Sequence, residues 1–252
     1  MEGQALLKLE NITRKFGDFT AVNGISLEVI PGEIFALLGP NGAGKTTCMK
    51  MITGTLQATS GSASLSKNDC FQERHLCMAQ TGYVPDDPTY PPFIRASELI
   101  RFQGEMHGLD KDTIARSTEP LIERLELSDA LEDFATNFSK GMKKKLAVVL
   151  ALIHQPRLLV LDELTNGLDP YATRDLHQLM CEQRDAGAAI LFSTHLLDQA
   201  EKLCDRLAII QKGKISICGS IEQIREDNDD LEQLFFRHTS LEGETSQTVE
   251  ED

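Results

Sequence analysis

The sequence contains no long hydrophobic run. Its longest uninterrupted apolar stretch, Leu146 to Ile153, falls well short of the roughly 20 residues that a membrane-spanning helix needs. The N-terminus, MEGQALLKLE, lacks the basic start and apolar block of a secretory signal, so a cytoplasmic chain is expected. The six cysteines are scattered, with no CxxC pair and no zinc-type spacing, which argues for reduced thiols rather than a disulfide framework. Basic residues are few: 25 Lys and Arg stand against 39 Asp and Glu, for a net charge of −14. A broad nucleic-acid surface needs a basic stripe, so no nucleic-acid partner is expected. No internal repeat is present, so the chain reads as one copy of a single domain with its appendages.

The acidity that is there is uneven. Between Ser220 and Asp252 eleven carboxylates face two arginines, and the last dozen residues, LEGETSQTVEED, read as a disordered, solvating tail over 241–252. The rest of the chain alternates strand and helix patterns. LLKLENITRKF and GISLEVIPGE alternate apolar and polar residues, as antiparallel strands with one wet face do. IFALLG, LLVLDE and AAILFSTH are short, continuously apolar runs of the kind buried on both faces of a parallel sheet, with RLAIIQKGK a weaker fourth. Helical stretches such as Tyr171 to Ala186 and Leu196 to Cys204 lie between them, and the alternation predicts an α/β fold. Residues 88–155 break the rhythm. ASELIRFQGEMHGL, TIARSTEPLIERLEL and GMKKKLAVVLALI predict an inserted helical segment without a convincing strand.

GPNGAGKTT, from Gly39 through Pro40, Asn41, Gly42, Ala43, Gly44, Lys45 and Thr46 to Thr47, fits G-x-x-x-x-G-K-[ST] between a buried strand and a helix. Glycines let several backbone N–H groups turn inward onto a phosphate, and the helix start adds about half a positive charge. Lys45 can reach the terminal phosphates and the Thr46 hydroxyl can ligate Mg²⁺. LLVLDEL ends in Asp162 and Glu163 at the carboxyl edge of a parallel strand, where open α/β sheets bind ligands. Asp162 suits the metal shell and Glu163 can polarise an attacking water. His195, closing STH, ends the next buried strand at the same edge. NFSKGMKKK is a puzzle, because lysines gathered at a helix start oppose the dipole unless an anion arrives there.

In this order, RKFG, GPNGAGKTT, GYVPDD, FSKGM, LLVLDE, NGLD and STH resemble the motifs of the ATP-binding cassette of an ABC transporter over roughly Leu6 to Thr239. The resemblance implies a P-loop ATPase with ATP and Mg²⁺ as cofactors. It divides residues 1–240 into an α/β core with an antiparallel β subdomain (1–87 and 156–219), a helical subdomain (88–155) and a helical extension (220–240). It implies that FSKGM is the family's signature, facing the γ-phosphate held by a second cassette, identical or paralogous. Ser139, Lys140, Gly141 and Met142 then become nucleotide-binding residues, and Lys143, Lys144 and Lys145 face solvent or neighbouring acids. Phe16 matches the aromatic that stacks on adenine. Asp169 matches the loop that crosses between the two cassettes.

The chain departs from the family pattern at Lys140 (usually glycine), Leu164 (usually proline), Asn166 (usually serine) and Asp86 (usually glutamine). In the family, the residue at the position of Asp86 contacts Mg²⁺ and the attacking water. An aspartate can also ligate the metal, and Gln80 is the weaker alternative for the glutamine. Asp86, SKGM and LEQLFFRHT resemble the branch that exports drugs, lipids and polysaccharides. The resemblance also implies an integral membrane partner, which would hold the chain at the inner face of the cell membrane. Tyr90, Pro91, Phe93 and Phe102 suit either a dock for a short helix of that partner or simple packing of the helical segment. A soluble ABC ATPase of iron–sulfur assembly, or a nucleotide-dependent regulator, is the rival reading. A GTPase would need an Asn-Lys-x-Asp motif, which the sequence lacks.

Overall fold

The computed structural model describes residues 4–227 and 231–239. The tail expected over 241–252 lies outside these residues. In chain order the elements are β1 (Leu7–Phe16), β2 (Phe19–Val29), β3 (Ile34–Leu38), α1 (Lys45–Ile52), β4 (Ser60–Leu65), β5 (Asn68–Asp69), α2 (Arg74–Met78) and β6 (Thr81–Val84). Helices α3 (Ala96–Met106), α4 (Lys111–Arg124) and α5 (Lys140–Leu152) follow, then β7 (Leu158–Asp162), α6 (Pro170–Asp185) and β8 (Ala189–Thr194). The described chain closes with α7 (Leu197–Leu203), β9 (Arg206–Gln211), β10 (Lys214–Ser220), α8 (Ile221–Asp227) and α9 (Leu231–Thr239).

Two sheets form. An antiparallel one has the order β2-β1-β4-β5, and a six-stranded one has the order β10-β9-β3-β8-β7-β6. In the second sheet every neighbouring pair is parallel except β9 with β10. The apolar runs are continuous because β3, β7 and β8 are buried along their whole length. Side chains alternate across a strand. Ile34, Ala36 and Leu38 therefore join the core shared with the helical segment, while Phe35 and Leu37 join the core shared with the antiparallel sheet. β7 and β8 divide in the same way, with Leu159, Leu161, Ile190 and Phe192 on one side and Leu158, Val160, Ala189 and Leu191 on the other.

The sequence patterns undercount the strands. RLAIIQKGK is not one strand but β9 turning into the antiparallel β10, through Lys212 and Gly213 at φ 47° and 76°. Positive φ at both central residues gives the two-residue turn its match to strand twist. A Cβ on Gly213 would lie 2.7 Å from the Ala21 carbonyl oxygen, so glycine is required there by space as well. β4 was illegible because its SGSASL sequence has little strand propensity. It is recruited by pairing with β1.

The segment between β6 and β7 is helical, with an isolated bridge between Arg95 and Phe134. α4 starts at an Asp110 cap that accepts from Thr113 N at 2.8 Å. α5 starts at Ser139, whose hydroxyl accepts from Met142 N at 3.2 Å. The lysine puzzle is resolved in part inside the chain: Lys145 lies 3.4 Å from Glu126, and Lys144 lies 3.3 Å from Asp86. Both meet acids as expected, but Lys144 is fully buried rather than turned toward solvent.

Candidate nucleotide site

The loop from Gly39 to Gly44 runs from the end of β3 to the start of α1. It can hug the sheet because Gly39 has no side chain: a Cβ there would meet the Ile210 carbonyl oxygen at 2.3 Å. Gly39 N donates to Thr194 O at 3.1 Å, and Gly44 sits at φ 110°. Asn41 and Gly42 are exposed at the crest and Ala43 is buried. Lys45, only 5% exposed, opens α1 and curls back, donating to Gly39 O at 2.7 Å and Pro40 O at 3.1 Å. Thr46 and Thr47 follow on the first turn of the helix.

Opposite the loop, β7 delivers Asp162 and Glu163. Ser193 at the end of β8 ties the two together, with its Oγ donating to Asp162 Oδ1 at 2.6 Å and accepting from Glu163 N at 3.0 Å. Glu163 has a left-handed backbone, φ 46°, which costs a non-glycine residue about 1–3 kcal/mol and persists only where surroundings enforce it. Its carboxylate is held at both ends, with Oε2 2.9 Å from His195 Nδ1 and Oε1 3.0 Å from Lys45 Nζ. The Lys45 approach is an ion pair but is not aligned as a hydrogen bond, so Oε1 keeps lone-pair capacity for a water. Strand ends and one strained turn thus bring Lys45, Asp162, Glu163 and His195 to a single edge.

Asp162 is the unbalanced member of the group. Burial pushes its carboxyl above the usual range, partly offset by hydrogen bonds from Ser193 and Thr46, with Asp86 and Glu163 adding negative charge nearby. Its Oδ2 is buried without a partner. An orphaned carboxylate oxygen beside a threonine hydroxyl is a hard, oxygen-only donor set, and it fits Mg²⁺. Among the described residues no cluster of three or more His, Cys, Asp or Glu could hold a metal by itself. That suits an ion shared between protein oxygens and phosphates.

Asp86 follows β6 at this edge, and its Oδ1 lies 3.3 Å from Lys144 Nζ. Gln80 precedes β6 at the far end, bonded to Ser66 and to the Leu76 carbonyl, and takes no part in the site. Lys144 also donates to the carbonyl oxygens of Glu163 and Asn166. Burial draws its ammonium below the usual lysine range, against the opposing pull of Asp86. Lys144 was missed in the sequence, although it stands three, four and seven residues before the buried Ala147, Val148 and Ala151. That spacing puts it on the buried face of α5. Ser193 was visible only as the first letter of STH.

The remaining expected residues lie apart from this cluster. Ser139 and Lys140 are exposed, and among the described residues no hydrogen bond or ion pair joins Ser139–Met142 to Gly39–Thr47. They pack instead on NGLD of their own chain: a Cβ on Gly141 would lie 3.4 Å from Leu168 Cδ2, and one on Gly167 would lie 3.2 Å from Lys140 Cδ. Asp169 caps α6, accepting from Tyr171 N and Ala172 N at 2.9 Å, and those bonds hold its carboxyl below the usual range. Phe16 is half-exposed, with the Arg14 guanidinium 4.6 Å above its ring centroid, so one face is covered. Of the aromatic group, Tyr90 packs, donating to Lys143 O at 2.8 Å. Phe93 and Phe102 are exposed, and Phe93 stands edge-on to Phe134.

A family profile described as ABC transporter matches residues 22–166, more than half of the chain. The chain belongs to the ABC transporter family. Its relatives include the uncharacterised ABC transporter ATP-binding protein YdbJ of Bacillus subtilis, 38% identical over 87% of this chain and 70% of that one. Another is the Nod factor export ATP-binding protein I of Cupriavidus metallidurans, 36% identical over 83% of this chain and 69% of the other. A solved ATP-binding subunit of an ABC transporter superposes with a TM-score of 0.87 at 31% identity, covering 92% of this chain and 98% of that structure. This ABC protein is thus an ATP-hydrolysing nucleotide-binding subunit on an α/β fold with an antiparallel β subdomain. Among its described residues no helix is long and apolar enough to cross a membrane.

Proposed function

We propose that the protein powers an exporter as one of two ABC subunits that clamp ATP head to tail beneath an integral membrane partner. The observation that carries this reading is a division of labour within one chain. Lys45, Asp162, Glu163 and His195 converge on one edge, while among the described residues no hydrogen bond or ion pair joins the exposed helix start at Ser139 to Lys45, Asp162, Glu163 or His195. The Ser139 hydroxyl takes the Met142 N–H and its carbonyl the Lys143 N–H, which leaves the Lys140 and Gly141 N–H groups and the exposed Lys140 side chain for an anion. Here that anion is the γ-phosphate held by the second subunit, and in a C₂ pair each subunit gives and receives the same contact. Removing that phosphate removes a ligand both chains hold, and the interface loosens.

In this reading the N–H groups from Gly39 to Thr47 and the Lys45 ammonium bind the phosphates, and the open face of Phe16 stacks on the base. Thr46, Asp162 and Asp86 would hold Mg²⁺, which when bound neutralises phosphate charge. Lys45 leaves Glu163 for the phosphates, which frees the carboxylate to take a proton from water, while His195 keeps it oriented. Lys140 and Met142 flank the arriving phosphate, and Asp169 fixes the α6 start at the crossing. The exposed Phe93 and Phe102 offer an apolar dock for the membrane subunit, which keeps the protein at the inner membrane face. The Nod factor export relative favours export.

The test mixes two inactive variants. Ser139→Arg is expected to bind ATP but not turn it over, and Lys45→Met to bind ATP weakly. An equal mixture forms hybrid dimers with one intact site, and about a quarter of wild-type turnover should return. No recovery, or loss of ATP binding by Ser139→Arg alone, overturns the cross-chain reading.

A further inference from the structure

Among the three lysines after the signature, one is sealed inside the protein. Lys144 is 0% exposed, and its ammonium spends its three protons on three acceptors in two segments, the loop after β6 and the turn after β7. These are the Asp86 carboxylate after β6 at 3.3 Å, the Glu163 carbonyl, and the Asn166 carbonyl in NGLD at 3.2 Å. The lysine itself rides on α5, the helix that begins at Ser139. Neither neighbour is buried in this way: Lys145 pairs with the exposed Glu126, and Lys143 is half-buried.

The Glu163 peptide needs such a partner. Its left-handed backbone is gripped on the N–H side by Ser193 Oγ at 3.0 Å and on the carbonyl side by Lys144, beside the Asn166 N–H at 3.2 Å. The carboxylate direction toward Lys45 and His195 follows from that backbone. Asp86, in turn, places a negative charge where phosphates will sit, and the buried cation offsets it. A neutral side chain at 144 would leave the aspartate uncompensated and the strained peptide's carbonyl with only the Asn166 N–H, 3.2 Å away within its own turn.

We propose that Lys144 is a positioning residue for ATP hydrolysis, its ammonium locking the Glu163 backbone and the Asp86 carboxylate into one frame so that the two move together. The proposal rests on Glu163 acting as the general base. It also explains the aspartate at 86: the acid is tolerated because its cation is built into the signature helix. A motion of the loop carrying Asp86 thereby reaches the base through one side chain rather than through the sheet.

The test is a double-mutant cycle on the full chain with Lys144→Met, Asp86→Asn and the pair, with turnover counted per ATP-binding site. Lys144→Met is expected to lower kcat at least thirtyfold with the KM for ATP changed less than threefold, the scale of a misplaced catalytic group. The double variant should retain at least five times more activity than the product of the single losses, because each removes the same coupling. A purely structural lysine would lower the melting temperature and the number of competent sites, and leave kcat per site unchanged. That result, or losses that multiply within twofold, overturns the proposal. If Lys144→Met does not fold, Lys144→Gln, which keeps donors without the charge, enters the same cycle. Glu163→Gln run alongside separates the two levels: wild-type turnover there sinks the base assignment, whereas a dead Glu163→Gln beside a normal Lys144→Met sinks only the role of the lysine.

Discussion

Replacing Glu163 by glutamine should separate binding from chemistry. The side chain is 7% exposed and its two oxygens have separate duties, Oε2 toward His195 at 2.9 Å and Oε1 toward Lys45 at 3.0 Å. The amide is nearly isosteric and retains one acceptor, so the fold should survive. It cannot take a proton from water, and general-base assistance contributes about 10²–10⁴ in rate, or about 3–5 kcal/mol of barrier. Turnover should therefore drop at least a hundredfold. Binding should move the other way. Before ATP is engaged, Lys45 is held by a carboxylate and by the carbonyls of Gly39 and Pro40, and phosphates must draw it away from the carboxylate. With a neutral competitor that step is easier, so the dissociation constant for ATP should stay equal or fall. Phosphate release at saturating ATP measures the first quantity and equilibrium titration the second. Turnover within threefold of wild type would remove Glu163 from the role of base. A tenfold weaker affinity for ATP would show instead that the carboxylate helps hold the nucleotide.

Asp162→Asn should raise the Mg²⁺ concentration needed for half-maximal turnover at least tenfold, and chelating the metal should abolish turnover. Because burial makes the Asp162 charge unfavourable in the nucleotide-free protein, the same change should leave the melting temperature equal or higher. Gly82→Ala should cost about 1–3 kcal/mol in urea unfolding, since its Cβ would lie 2.3 Å from the Ala151 carbonyl oxygen and 3.0 Å from Leu159 Cδ1. His154 gives a pH signature. Its ring nitrogens are shielded from water and it stacks 3.8 Å from His107; burial, then the neighbouring ring, lowers its pKa to about 4. The unfolded chain, with a pKa of about 6.5, then binds the proton first, so stability is full above about pH 6.5 and declines as pH falls toward 4. The loss amounts to about 1–2 kcal/mol after solvent screening. His154→Leu should flatten the thermal-denaturation profile over that window, and an unchanged slope would refute the assignment.

The sequence by itself determined the chemistry of the phosphate loop and the layered core. GPNGAGKTT places glycine, lysine and threonine at spacings that only a strand-to-helix turn satisfies. IFALLG, LLVLDE and AAILFSTH are apolar at every position because both faces of the central sheet are covered. These are local properties, written in neighbouring residues. Tertiary structure decided what depends on separate segments meeting. It recruited the serine-rich β4 into a sheet, split RLAIIQKGK and its sequel into a hairpin, and brought Ser193 between the Asp162 carboxylate and the Glu163 N–H. It also made Lys144, expected to face solvent or neighbouring acids, the buried link among Asp86, Glu163 and Asn166. A charged side chain is buried only where partners from distant parts of the chain satisfy it, and sequence spacing does not encode which distant segments those are.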